Sequence, residues 1–167
     1  MAERPLVSVV VTVFNERKNI RHLLDSLEVQ EPPIEVLVVD AGSTDGTVEL
    51  VEAHAQRWPS VRLVREPGSR GHCRNVGAER ASGTLLAFID GDCIANPFWA
   101  RELRRACRDG AVAAGRTIQM GYWAFQQLQR VELEHQGQDV THPSCNLMYG
   151  RDPVSYTHLT LPTNREV

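Results

Sequence analysis

The chain has 167 residues, 42% of them hydrophobic and 23% charged, with a formal net charge of -3. That length fits one domain with a substantial core, and the composition excludes a disordered or fibrous chain. The small negative charge gives no global attraction to nucleic acid or an anionic membrane, so any such contact would be local.

Residues 1–5 (MAERP) begin no long apolar run, so no signal peptide is expected. Residues 7–13 (VSVVVTV) are rich in β-branched side chains and predict a first buried strand, after which Asn15 can cap a helix. Ile20, Leu23, Leu24 and Leu27 recur at i, i+3, i+4 and i+7, the apolar stripe of an amphipathic helix that Pro32 and Pro33 stop. Residues 34–39 form a second β-branched run, closed by Asp40. The turn-rich loop 41–47 precedes a helix over about 48–58, capped by Asp45 or Thr47, with Val48, Val51, Ala55 and Trp58 facing inward. A short strand at 61–64 and a loop at 65–71 lead to a helix over about 72–81, which Gly83 can end at its C′ position.

Residues 85–89 are five apolar residues running into Asp90, Gly91 and Asp92. A continuous apolar run of this kind reads as a strand buried on both faces, with the carboxylates at its carboxyl end. Asp-Gly-Asp can be an ordinary polar turn, or it can mark a divalent cation held by oxygen ligands. Strands alternating with helices predict an open, mainly parallel α/β sheet, which gathers Glu16, Asp40 and Asp90 along one edge. Crowded carboxylates cost free energy unless a ligand offsets them, so the site reading is favoured over the turn reading.

Beyond Asp92, Pro97 suits the first turn of a helix to about Arg108. A strand is expected within 111–118, a helix over 122–135 and a last strand over 145–149. Arg101, Arg104, Arg105 and Arg108 fall on one helix stripe, read as a solvated face in preference to a patch for lipid phosphate. Cys73, Cys93, Cys107 and Cys145 show no Cys-x-x-Cys spacing, so reduced thiols are expected in place of a disulfide framework or zinc ribbon. His72 beside Cys73 resembles a metal pair, but adjacent helical residues point apart. No stretch of about eighteen apolar residues occurs to span a bilayer.

In their order along the chain, VSVVVTVFNERKNI, VVDAGSTDGT, GHCRNVGAERASG and LLAFIDGD resemble the family 2 glycosyltransferases of the GT-A fold, with 143–151 a weaker fifth match. The resemblance implies a Rossmann-like sheet with helices on both faces and inverting transfer from a nucleotide-diphosphate sugar with Mg2+ or Mn2+. By position, it implies that Thr12, Phe14 and Glu16 border the nucleoside, that Asp40 accepts a hydrogen bond from the base, and that Asp45 lies in the same loop. It implies Arg70 and Arg74 near the diphosphate, Asp90 at the ribose or the metal's shell, and Asp92 on the metal. A UDP-sugar is expected ahead of a GDP-sugar, with the acceptor unknown: a saccharide, a lipid-linked group or a protein. The implied location is the cytoplasm, or the inner face of a membrane.

The family's general base is a carboxylate well downstream, and the match stops near Asp152; Asp139 is the nearest carboxylate, but its spacing does not make it the base. Residues 154–163 (VSYTHLTLPT) resemble an in-frame translation of a sequencing adapter. The expected organisation is therefore a donor-binding domain over 1–153 and a non-native tail over 154–167. On that expectation the chain binds donor but lacks a complete acceptor site. The alternatives are a haloacid-dehalogenase-type phosphatase, which also uses Asp-x-Asp after a strand, and a non-catalytic nucleotide-binding remnant. The former expects its motif near the chain start, followed two residues on by Thr or Val, where this chain has Ile94. A dinucleotide-binding module is disfavoured because no Gly-x-Gly-x-x-Gly comes after the first strand.

Overall fold

The computed structural model of the chain describes residues 6–107, 112–115, 134–135, 138–139 and 146–151. Strands and helices alternate as β1 (Val7–Val13), α1 (Ile20–Glu28), β2 (Ile34–Asp40), α2 (Thr47–Arg57), β3 (Val61–Arg65), α3 (Arg70–Arg80), β4 (Leu85–Asp90) and α4 (Trp99–Ala106). β5 (Ala113–Ala114), β6 (Glu134–His135), β7 (Gln138–Asp139) and β8 (Asn146–Gly150) complete the order. Among the described residues the main sheet has six strands, in the order β3-β2-β1-β4-β8-β5. β3, β2, β1 and β4 are mutually parallel, whereas β8 runs antiparallel to both β4 and β5. This is the expected α/β architecture, an open, mainly parallel Rossmann-like sheet with helices on both faces.

The strands are buried on both faces because their side chains alternate between two helical layers. Val7, Val9, Val11 and Val13 join Ile20, Leu23, Leu24 and Leu27 of α1 in one core, with Val51 of α2 and Leu103 of α4. Val10, Leu37, Val39 and Phe88 face the other way, onto Cys73 and Val76 of α3. Each large apolar side chain so buried contributes roughly 1.5–3 kcal/mol. α4 is tied to β8 through Trp99, whose indole N–H donates to Asn146 Oδ1 at 2.8 Å.

Several local expectations change. Asn15 does not cap α1: it sits in the left-handed region at φ 56°, and Asn19 occupies the N-cap position. Gly46, at φ 96°, is the N-cap of α2, while Asp45 Oδ1 accepts from the Thr47 N–H at 3.0 Å. The inner face of α2 is Thr47, Val51 and His54, with Val48 only half-buried. Ala55 and Trp58 pack against that core while partly exposed. Gly83 is not the C′ residue of α3, whose C-cap is Ala81. Its role is close approach: a Cβ there would meet Ser8 Oγ at 2.5 Å and Leu6 O at 2.6 Å. Arg104 is no free surface charge, because its Nη2 donates to the Pro33 carbonyl at 3.1 Å.

The helix expected over 122–135 reaches described residues only at 134–135, which are strand. Arg108, Cys145, Asp152, the tail 154–167 and the side chain of Asp139 lie outside the described residues. Among the described residues, no helix is long and apolar enough to cross a membrane.

Candidate functional site

The connection from β1 leads to β2 on one side, whereas the chain returns from β3 to place β4 on the other side of β1. Strand order therefore reverses between β1 and β4, and crevices at such switch points, outside the carboxyl ends of the strands, are where open α/β sheets bind ligands. A cavity of about 360 Å³ opens there. The end of β1 lines it with Thr12, Phe14 and Glu16, the start of α3 with Arg70, and the end of β4 with Asp90 and Asp92.

Two loops, 14–19 and 41–46, stand together at one side of it, and polar cross-links hold them. The Asn15 N–H donates to Ser43 Oγ and Asn15 Oδ1 accepts from the Thr44 N–H, each at 2.9 Å. The Glu16 N–H donates to Thr47 Oγ1 at 2.9 Å, and the Thr47 hydroxyl donates onward to Asp45 Oδ1 at 2.5 Å. Asp45 Oδ2 accepts from the Arg17 N–H at 3.0 Å. The Thr47 hydroxyl, more than the opposing effect of burial, holds the Asp45 carboxyl below the ordinary carboxylate range, with the Arg17 and Thr47 N–H groups adding to it. Asp45 is thus a loop staple and does not line the cavity.

Asp40, 3% exposed, also stands behind the lining: its carboxylate accepts from the Gly42 and Ser43 N–H groups at 3.0 and 3.1 Å. Arg74 is the third expected residue absent from the lining. It is 5% exposed and donates through Nη2 to Asp90 Oδ1 at 2.7 Å. Arg70, by contrast, is largely exposed, with Nη1 at 3.8 Å from Asp90 Oδ2, and is free to reach a ligand. The structure therefore brings Thr12, Phe14, Glu16, Arg70, Asp90 and Asp92 together, and puts Asp40, Asp45 and Arg74 in support of them.

Two features of the lining point to a polar ligand. Thr12 Oγ1 is buried and has no hydrogen-bond partner among the described residues, a cost that a ligand could relieve. Asp92 is exposed at the mouth, whereas Asp90 is engaged by arginine. Gly91 makes this separation possible, since a Cβ there would meet Val13 Cγ1 at 2.9 Å. One or two carboxylates completed by ligand phosphates is the usual setting for Mg2+ or Mn2+, so the donor set fits such a cation.

Cys73 also lines the cavity, which neither its spacing nor its neighbours in sequence signalled. Burial pushes its thiol above the ordinary value, and the charges of Glu66 and Asp40 add to this. It is a protonated packing residue, donating to the Glu66 carbonyl at 3.2 Å, and not a nucleophile. His72 turns outward to Glu66 Oε1 at 3.1 Å, so the two neighbours do not form a metal pair.

The model of the family described as "Glycosyl transferase family 2" matches residues 8–152, and the chain belongs to that family. The glycosyltransferase AglE of Haloferax volcanii is 40% identical over 100 residues, 57% of this chain and 33% of that protein. Among solved structures, the mannosyltransferase PcManGT of Pyrobaculum calidifontis, in complex with GDP-Man and Mn2+, matches with a TM-score of 0.62 and 30% identity. That match covers 67% of this chain and 35% of PcManGT. S. aureus TarS 1-349 in complex with UDP-GlcNAc gives 0.57 and 30%, covering 68% of this chain and 37% of TarS 1-349. The chain spans about a third of the length of these relatives.

Proposed function

We propose that the chain is the donor-binding part of a metal-dependent, inverting glycosyltransferase that takes a nucleotide-diphosphate sugar. The observation that carries this reading is the cavity at the strand-order reversal, where the unpartnered Thr12 hydroxyl shares the lining with Asp90 and the exposed Asp92. Thr12, Phe14 and Glu16 would border the nucleoside, with Asp40 and Asp45 shaping the loop behind it. Phe14, 59% exposed, offers an aromatic face for a base. Arg70 would meet the diphosphate, helped by the N-terminal end of α3. Asp92, with Asp90 beside it, would hold Mg2+ or Mn2+, which when bound supplies Lewis-acid stabilisation to the departing nucleotide diphosphate. Arg74 holds Asp90 in place for that task.

Uridine is proposed as the base on the family resemblance alone, since Asp40 itself stands behind the cavity lining. TarS is named a poly(ribitol-phosphate) β-N-acetylglucosaminyltransferase, and a cell-envelope glycan is the acceptor class proposed here. The test is thermal unfolding with UDP or GDP, each with and without Mn2+. UDP should raise the melting temperature only when Mn2+ is present, more than GDP does, and Asp92→Ala should abolish the shift. A shift that ignores the metal or survives Asp92→Ala would overturn the reading.

A further inference from the structure

At the opposite end of the fold from the cavity, α1 and α2 enclose an imidazole between two carboxylates. α1 leaves the carboxyl edge of the sheet after β1 and must return to the amino edge where β2 begins. Asp25 and Glu28, in its second half, therefore lie away from the donor site. His54, in the last turn of α2, is 3% exposed. Its Nε2 has no hydrogen-bond partner among the described residues and lies 3.5 Å from Glu28 Oε2. Its Nδ1 is 3.8 Å from Asp25 Oδ1 and 3.1 Å from Arg57 Nη2, and Trp58 closes the far side edge-on at 5.9 Å.

We propose that Asp25, Glu28 and His54 form a second divalent-cation site, of the zinc class, that clamps α1 to α2. One imidazole and two carboxylates are a donor set for Zn2+ or Co2+, with water in the remaining position. One donor atom from each residue lies within 4.8 Å of the other two. Bonds of about 2.1 Å at tetrahedral angles set donors about 3.4 Å apart, so the widest pair in the cluster must close by about 1.4 Å. The carboxylates can do this by rotating, because Asp25 and Glu28 are 50% and 46% exposed. The buried ring then supplies the fixed ligand. A helix clasp alone leaves Nε2 orphaned, whereas a cation engages it.

Arg57 makes the proposal discriminating. For Nε2 to offer its lone pair, the ring proton must sit on Nδ1, where the guanidinium can no longer donate. Arg57, on the exposed face of α2, must therefore be displaced, one cation exchanging for another. Removing it should favour the metal.

The experiment titrates Co2+ and Zn2+ into the full chain without nucleotide, following visible absorption of Co2+ and thermal unfolding with Zn2+. One equivalent of Co2+ should give a visible band and Zn2+ should raise the melting temperature. Both effects should vanish in the Asp25→Asn, Glu28→Gln double variant, which alters exposed side chains and leaves the His54 packing intact. Arg57→Gln should tighten Co2+ binding by about tenfold, the order expected for changes beside a ligand. Absence of binding at millimolar cation would overturn the proposal, as would binding that survives the double variant or that Arg57→Gln fails to strengthen. The donor reading is untouched by either result, because its own test depends on Asp92.

Discussion

Arg74 carries its charge into a place only 5% exposed, and Asp90 Oδ1 meets it at 2.7 Å. A guanidinium so buried is tolerated only with its carboxylate partner present. Removing that partner in part-buried surroundings costs about 3 kcal/mol. Arg74→Met deletes the guanidinium but strands the Asp90 carboxylate, so it should cost about 2–3 kcal/mol. Urea unfolding measures the loss. Arg74→Met, Asp90→Asn should recover part of it, since the stranded charge is gone. The resemblance points to each of these residues singly, Arg74 near the diphosphate and Asp90 at the ribose or the metal's shell. Their pairing could not be read from the chain, because it joins α3 to β4 across 16 positions and depends on how deeply the helix start is buried. Asp92 was legible for the opposite reason: an apolar strand must end somewhere, and the residues just past its last apolar position are displayed at the sheet edge.

Helix α3 lies on the sheet through Gly77, where a Cβ would overlap Val10 Cγ1 and meet Val39 Cγ2 at 3.2 Å. Two effects oppose each other in Gly77→Ala. Alanine gains about 1 kcal/mol in helix propensity. Overpacking a core typically costs about 1–3 kcal/mol, and Val10, only 1% exposed, has nowhere to move. The clash should win, leaving a net loss of up to about 2 kcal/mol by urea unfolding. A gain in stability would mean that α3 can lift from β1. The elements themselves were readable: β-branched runs marked β1 and β2, and the 3.6-residue stripe marked α1. What failed was the rotation of α2, where His54 is buried at a position that polarity assigns to solvent. Its burial comes from Asp25, Glu28 and Trp58 around it, which no local pattern in α2 reveals. Asn15 failed as a cap for a similar reason, since its partner, Thr44, lies in the loop after the next strand.

Across the described residues, the carboxyl edge of the sheet is shaped by side chains that line the cavity, while at the amino edge the Glu35 carboxylate joins β2 to β1 and to the turn before β4. It accepts from the Ser8 hydroxyl on β1, and from the Ser82 and Gly83 N–H groups at 2.5 and 3.2 Å, and lies 3.7 Å from Arg62 Nη1. Burial pushes its carboxyl up, but the Ser8 hydroxyl and the Ser82 and Gly83 donors outweigh it and hold the pKa below the ordinary value. A carboxyl whose pKa is lower folded than unfolded adds stability above the unfolded value, near about 4.3, and loses it as pH falls through the folded one. Wild-type chain should therefore destabilise more steeply below about pH 4.5 than Glu35→Gln, which keeps an acceptor oxygen but binds no proton. The comparison is between the two acid limbs of unfolding free energy against pH, since other carboxylates titrate equally in both proteins. At neutral pH Glu35→Gln loses the charge-assisted part of the hydrogen bonds from Ser8, Ser82 and Gly83 and should be the less stable. The two curves should converge as pH falls. Parallel curves would place the link between β1, β2 and the turn before β4 elsewhere than in the ionised Glu35.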